Sequence, residues 1–287
     1  MNRTMIRTKS NELQIPFSHV LSGYLLESIV EIISQSSHGK DLWMGRERQL
    51  GLDHYKRKAP RKVSYVYQGS MELDTLCESL VEELGRGMAL RNIQVEEHRL
   101  LREDAVEYLL HFSFSIDEMY VPFDIEILKR HQEHIFAQQE TLRLFMENNR
   151  TISYLSYPAE QSIAYDLMEI LRQLELLNEM EYYVCVYDIL RKYPLEGRKV
   201  RDVLMNLCQE HHVSFTEKPF SLWKSYGDYT YMRKKWKVLL RKEGRKEPEW
   251  SEVHQLIGKF LGPIWQTIVD GTVFFGDWMP ELERFLD

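Results

Sequence analysis

Apolar residues recur along this chain in two rhythms, and the balance between them changes part-way through. Leu25, Leu26, Ile29, Ile32 and Ile33 fall at helical spacing within Leu25–Ser34, with Gly39 placed to stop the helix. The same spacing returns over Glu72–Leu84 in Leu73, Leu76, Leu80, Val81 and Leu84, followed by Gly85 and Gly87 as a stop. Between these helices the pattern predicts a short strand at Asp41–Met44, a turn through Gly45 and an amphipathic helix reaching Lys56. A basic loop follows, and then the alternation of Val63, Tyr65 and Tyr67. Further strands are predicted near Leu90–Glu97, over Glu107–Ile116 and over Val121–Leu128. The middle one sets Tyr108, Leu110, Phe112, Phe114 and Ile116 against Leu109, His111, Ser113 and Ser115. From about residue 158 onward the period is helical almost throughout: Pro158–Asn178, Glu179–Lys192, Gly197–His211, Ser221–Glu243 and Trp250–Asp270.

This order predicts an α+β chain: a mixed-sheet domain over 1–150, ended by the polar Asn148-Asn149-Arg150, then a helical domain over 151–287. With 287 residues, 44% of them hydrophobic, the chain is long and apolar enough to bury a sizeable core. Three widely spaced cysteines, Cys77, Cys185 and Cys208, fit reduced thiols and a cytoplasmic protein better than a disulfide framework. No apolar run approaches the ~20 residues that cross a bilayer, so no membrane is expected as a partner. The first ten residues carry no acid and no apolar core, and read as a frayed terminus.

The net charge is −7, but 13 of the 37 basic residues lie in two stretches, 56–62 (KRKAPRK) and 233–246 (RKKWKVLLRKEGRK). The remainder is strongly acidic, so any contact with a polyanion has to be made at these two places. In the first, Lys56, Arg57, Lys58, Arg61 and Lys62 are the candidates. In the second, Met232, Trp236, Leu239 and Leu240 form an apolar stripe, which puts Trp236 in a core and leaves Lys234, Lys235, Arg241 and Lys242 outside. On the strand Val121–Ile127, Asp124 and Glu126 point to one face and form an intact carboxylate pair; solvent-side acids on an edge strand, between inward Phe123, Ile125 and Ile127, is one reading of it. The pairs His131/His134 and His211/His212 lack a third ligand at a recognisable spacing.

The segment Ser36–Tyr67, the later VPFDIEI, YPAEQSIAYDLMEI (157–170) and EYYVCVYDIL (181–190), and the end of the chain from Phe215–Trp223 to Trp278 together resemble the AbiEii/AbiGii-type toxin family of nucleotidyltransferase fold. The resemblance implies that a phosphate-holding turn falls on Gly45-Arg46, and that the Asp-x-Asp positions for Mg²⁺ fall on Lys62 and Ser64. It also implies that the third acid is Asp124 or Glu126. Asp166 stands in the place of a functional lysine. In an Arg-x-x-Asp-x-x-Asp segment Cys185 replaces the first acid and Asp188 keeps the second.

Two readings follow. In the first, the chain is a catalytically degenerate nucleotidyltransferase-fold member of a toxin–antitoxin or antiphage defence system. It then acts by binding RNA or a protein partner, either an antitoxin or a neighbour-encoded protein. In the second it is an active nucleotidyltransferase that uses an NTP and Mg²⁺ held by Asp124 and Glu126. Asp188 completes its acids, the basic loop holds its phosphates, and Glu47 or Asp53 is a further possible carboxylate. A third reading, a structural subunit, would need an apolar patch around Phe274, Phe275 and Trp278.

Overall fold

In the structure, a computed structural model, residues 2–45, 50–102, 106–129, 135–147 and 150–286 are described. The chain divides into two compact units, Met1–Tyr157 and Pro158–Asp287.

The first unit opens with α1 (Arg3–Leu13), capped by the side chain of Asn2, which accepts from the Met5 N–H. This corrects the expectation of a frayed terminus: Ile6 is fully buried against the core, enough to hold a short amphipathic helix in place. Then come α2 (Phe17–Gln35), β1 (Leu42–Met44), α3 (Leu52–Arg57), β2 (Lys62–Tyr67), α4 (Leu73–Ala89), β3 (Gln94–Arg102), β4 (Glu107–Ile116), β5 (Met119–Lys129), β6 (Gln138–Arg143) and β7 (Thr151–Ser156). The seven strands form one mixed sheet in the order β3-β4-β5-β2-β1-β7-β6. Every residue of α2 from Val20 to Ile33 is buried, as expected of a helix that is apolar nearly all round. It packs with α4 on one face of the sheet, against Leu110, Phe112 and Phe114 of β4 and Phe123, Ile125 and Ile127 of β5.

Two details of this unit differ from the sequence reading for physical reasons. Helix α4 runs through Gly85 and Gly87 to Ala89, and the following strand starts only at Gln94. Gly87 serves packing, not termination: a Cβ there would come within 2.7 Å of the Ile32 side chain. The sheet also gains β6 and β7, which carry the unit past residue 150, so the division falls after Tyr157.

The second unit contains α5 (Ala159–Gln173), α6 (Glu181–Lys192), β8 (Leu195–Glu196), α7 (Gly197–Glu210), α8 (Glu217–Lys224), α9 (Thr230–Lys242), α10 (Trp250–Val269), β9 (Asp277–Met279) and β10 (Arg284–Leu286). The helix expected over Ser221–Glu243 is broken by a 3₁₀ turn at Ser225–Asp228 into α8 and α9. The strands β10-β9-β8 add a small antiparallel sheet that a purely helical reading lacks. Trp223, Trp236, Trp250, Trp265 and Trp278 are all buried in this unit's core. Four of their indole N–H groups donate to backbone carbonyls, of Pro248 (Trp236), Tyr226 (Trp250), Thr216 (Trp265) and Leu190 (Trp278), so burial leaves those donors satisfied. With Trp278 buried and Phe274 packed on Phe285, the patch required of a structural subunit reduces to the exposed Phe275 and Val273. Among the described residues no helix is long and apolar enough to cross a membrane.

Candidate functional site

The polar face of the sheet is built by alternation. On β5 the odd-numbered Val121, Phe123, Ile125 and Ile127 enter the core, while Tyr120, Pro122, Asp124 and Glu126 face the other way. β5 lies between β4 and β2, so its two acids stand on a central strand of the sheet, not on an edge.

The neighbours follow from register. The two-residue turn Asp117-Glu118, with φ of 46° and 65°, joins β4 to β5 as a tight hairpin and pairs Ile116 with Met119. Counting back along the ladder brings His111 opposite Asp124. The imidazole Nδ1 lies 2.5 Å from Asp124 Oδ1, and both side chains are partly exposed. On the other side β2 runs parallel to β5 and pairs Lys62 with Asp124 and Ser64 with Glu126. Lys62 Nζ donates to Glu126 Oε1 at 2.8 Å, and Ser64 Oγ donates to Glu126 Oε2 at 2.6 Å. One face therefore holds two carboxylates, a lysine, a serine and a histidine, drawn from three adjacent strands.

The flanking turn contributes a backbone feature. Gly45 N–H donates to Ser64 O at 2.6 Å, and a Cβ on Gly45 would sit 3.1 Å from Ser64 Cβ, so the end of β1 presses closely on β2. Arg46 and Glu47 lie outside the described residues, as do His131 and His134.

In the basic loop Lys62 meets Glu126. Lys56 pairs with Asp53 at 3.7 Å, Arg57 Nε donates to the Asp53 carbonyl, and Lys58 is half-buried. Arg61 is exposed, and its carbonyl accepts from the Asp124 N–H at 2.8 Å, tying the end of the loop to β5. Asp188 belongs to the second unit, where Arg245 grips its carboxylate through two bonds of 2.9 Å. Asp166 is fully buried in the same unit. On α9, Lys234 and Arg241 are exposed, Lys242 lies 3.6 Å from Glu181, and Lys235 is half-buried, with Nζ donating to the Leu177 carbonyl at 2.8 Å. Trp236 is in the core.

The donor set tests the fit of Mg²⁺. A hard divalent ion takes carboxylate oxygens that are open to it. Both Glu126 oxygens are engaged, by an ammonium and a hydroxyl, and Asp124 Oδ1 is engaged by imidazole. Among the described residues, no group of three His, Cys, Asp or Glu is arranged to hold a metal. The acids as they stand fit an internal cation rather than Mg²⁺.

Comparison with solved structures places the architecture. JHP933 from Helicobacter pylori matches with a TM-score of 0.52 at 12% identity, over 90% of this chain and 94% of that one. This chain shares its fold. A second H. pylori structure, described as a "putative nucleotidyltransferase", matches with a TM-score of 0.48 at 10% identity, over 88% of this chain and 95% of that one. No family model matches the sequence, and no curated protein does.

Proposed function

We propose that this chain is a nucleotidyltransferase-fold protein with a degenerate catalytic set, acting in the cytoplasm within a toxin–antitoxin or antiphage defence system by binding RNA or a protein partner. The observation that carries this reading is the Lys62–Glu126 pair, because a lysine occupies the place where the resemblance expects a metal-holding acid and neutralises the acid that is left. The partner class, an antitoxin or other neighbour-encoded protein, comes from the resemblance. For RNA, the exposed Lys234 and Arg241 of α9 supply phosphate contacts independent of base identity.

A second reading keeps Asp124 and Glu126 as ligands in an active enzyme that uses an NTP and Mg²⁺. It draws support from their common position on one half-exposed face of a central strand. The test is a transfer assay with each labelled NTP, Mg²⁺ or Mn²⁺ and total RNA, with Asp124→Ala as control. The degenerate reading expects no label on RNA or protein under either metal, together with RNA retention that weakens as salt rises and drops in a Lys234→Glu, Arg241→Glu double variant. Label that appears with the parent protein and vanishes with Asp124→Ala would overturn it.

A further inference from the structure

Tyrosine rings and basic side chains meet on the surface of the second unit. The 3₁₀ turn at Ser225–Asp228 and the start of α9 set three rings in series, Tyr226 to Tyr229 at 5.8 Å and Tyr229 to Tyr231 at 6.0 Å between centroids. The inner ring, Tyr226, is buried in the core, and the Tyr229 N–H donates to the Tyr226 carbonyl at 3.1 Å. The outer two, Tyr229 and Tyr231, are 42% and 47% exposed, aromatic surface that the core does not use. Lys235 Nζ stands 4.6 Å from the Tyr231 ring centroid and donates to the Leu177 carbonyl at 2.8 Å, which holds the ammonium beside the ring. Lys234, Val238 and Arg241 follow Tyr231 at helical spacing and are all exposed, so the ring heads a row that carries two outward cations. Asp228, an acid on the turn, is engaged by Arg233 at 2.6 Å.

We infer that Tyr229 and Tyr231 form a stacking platform for the unpaired bases of single-stranded RNA, whose phosphates Lys234 and Arg241 hold. The inference rests on the RNA arm of the proposed function and deepens it by naming the form of RNA that is bound. Aromatic side chains stack on bases that are splayed out of a helix, whereas a base inside an A-form duplex is already stacked, so a duplex could use the cations alone. The rings are backed by Tyr226 and Lys235, which lowers the entropy lost when a base settles on them. An acidic protein segment would meet the same lysine and arginine but would draw nothing from the ring faces.

The experiment measures fluorescence anisotropy of a labelled single-stranded RNA of about twelve nucleotides, and of the same strand annealed to its complement, with the full-length chain over a series of salt concentrations. The parent is compared with a Tyr229→Ala, Tyr231→Ala double variant, with the corresponding Phe double variant, which keeps both rings, and with Lys234→Glu, Arg241→Glu. Melting temperatures are read in parallel, and Tyr231→Ala alone repeats the test at the more exposed ring. The single strand should bind at least about tenfold more tightly than the duplex, and the Ala double variant should lose about tenfold or more with the salt slope unchanged. The Phe double variant should bind as the parent does, and Lys234→Glu, Arg241→Glu should flatten the salt slope. Salt-sensitive binding that is equal for single strand and duplex, or equal for the parent and the Ala double variant, would overturn the platform and leave the RNA arm standing. No binding of either RNA by the parent would overturn that arm and the platform with it, and leave the protein partner. The transfer assay reads labelled product, so its outcome is separable from both.

Discussion

Glu27 sits inside α2 at 3% exposure, with Oε1 accepting from the Tyr55 hydroxyl and Oε2 from the Phe145 N–H. Burial, with a smaller contribution from Glu147, raises its pKa from 4.5 to about 8. One turn along the helix the equally buried Glu31 is matched by Arg91 at 2.9 Å and by Arg150, so the same helix holds one compensated acid and one that stays protonated at neutral pH. The folded state binds the Glu27 proton more tightly than the unfolded chain. This stabilisation is therefore fully present below about pH 4.5 and is lost as pH rises through about 8, a change on the order of a few kcal/mol. Glu27→Gln should flatten the fall in unfolding free energy between those limits and leave the variant the more stable one on the alkaline side. Urea titrations at about pH 5 and about pH 8.5 decide it: parallel losses in parent and variant would mean that Glu27 is not the group responsible.

Helix α4 allows a sharper test at the scale of an element, because two glycines in it play opposite parts. A Cβ at Gly85 meets nothing within 4 Å, while one at Gly87 meets Ile32 at 2.7 Å. Gly85→Ala should gain up to about 1 kcal/mol of helix propensity, and Gly87→Ala should forfeit that gain and destabilise by roughly 1 kcal/mol through overpacking against α2. Denaturant midpoints of opposite sign would confirm the difference, and a gain at both positions would show that Ile32 yields. Both glycines read from the sequence as a helix stop, because the partner helix that makes Gly87 necessary is invisible there. Strand β4 was legible to its last residue, since five large side chains in strict alternation define it. β6 was not, because Gln138–Arg143 is polar and buries only Leu142, and β8 to β10 are too short to show a period at all. The site divides the same way. That Asp124 and Glu126 share a face follows from alternation, and His111 could have been found from the two-residue hairpin at Asp117-Glu118, which fixes the count back to Asp124. That Lys62 and Ser64 share a site with Asp124 or Glu126 was implied by the family resemblance alone, and their pairing with Glu126 was not legible from the residues, because β2 joins β5 in parallel across α4, β3 and β4, and no local signal sets that register.

At the scale of the whole molecule, the two units hold separate cores: one built on α2, α4 and the seven-stranded sheet, the other on α5, α6, α7 and α10 with its five tryptophans. The sixth tryptophan, Trp43, lies in the first unit, so indole fluorescence reports chiefly on the second. That core has its own polar closure as well, since the Trp236, Trp250, Trp265 and Trp278 N–H groups find carbonyls within the unit and Arg245 clamps Asp188 on α6. A segment that buries large aromatic side chains and satisfies their donors internally has what cooperative folding requires. Residues 158–287 expressed alone should therefore show buried-indole emission and a single sigmoidal urea transition whose midpoint tracks the fluorescence transition of the full chain. A fragment with solvent-exposed emission and no transition would show that the helical unit folds only on the sheet unit.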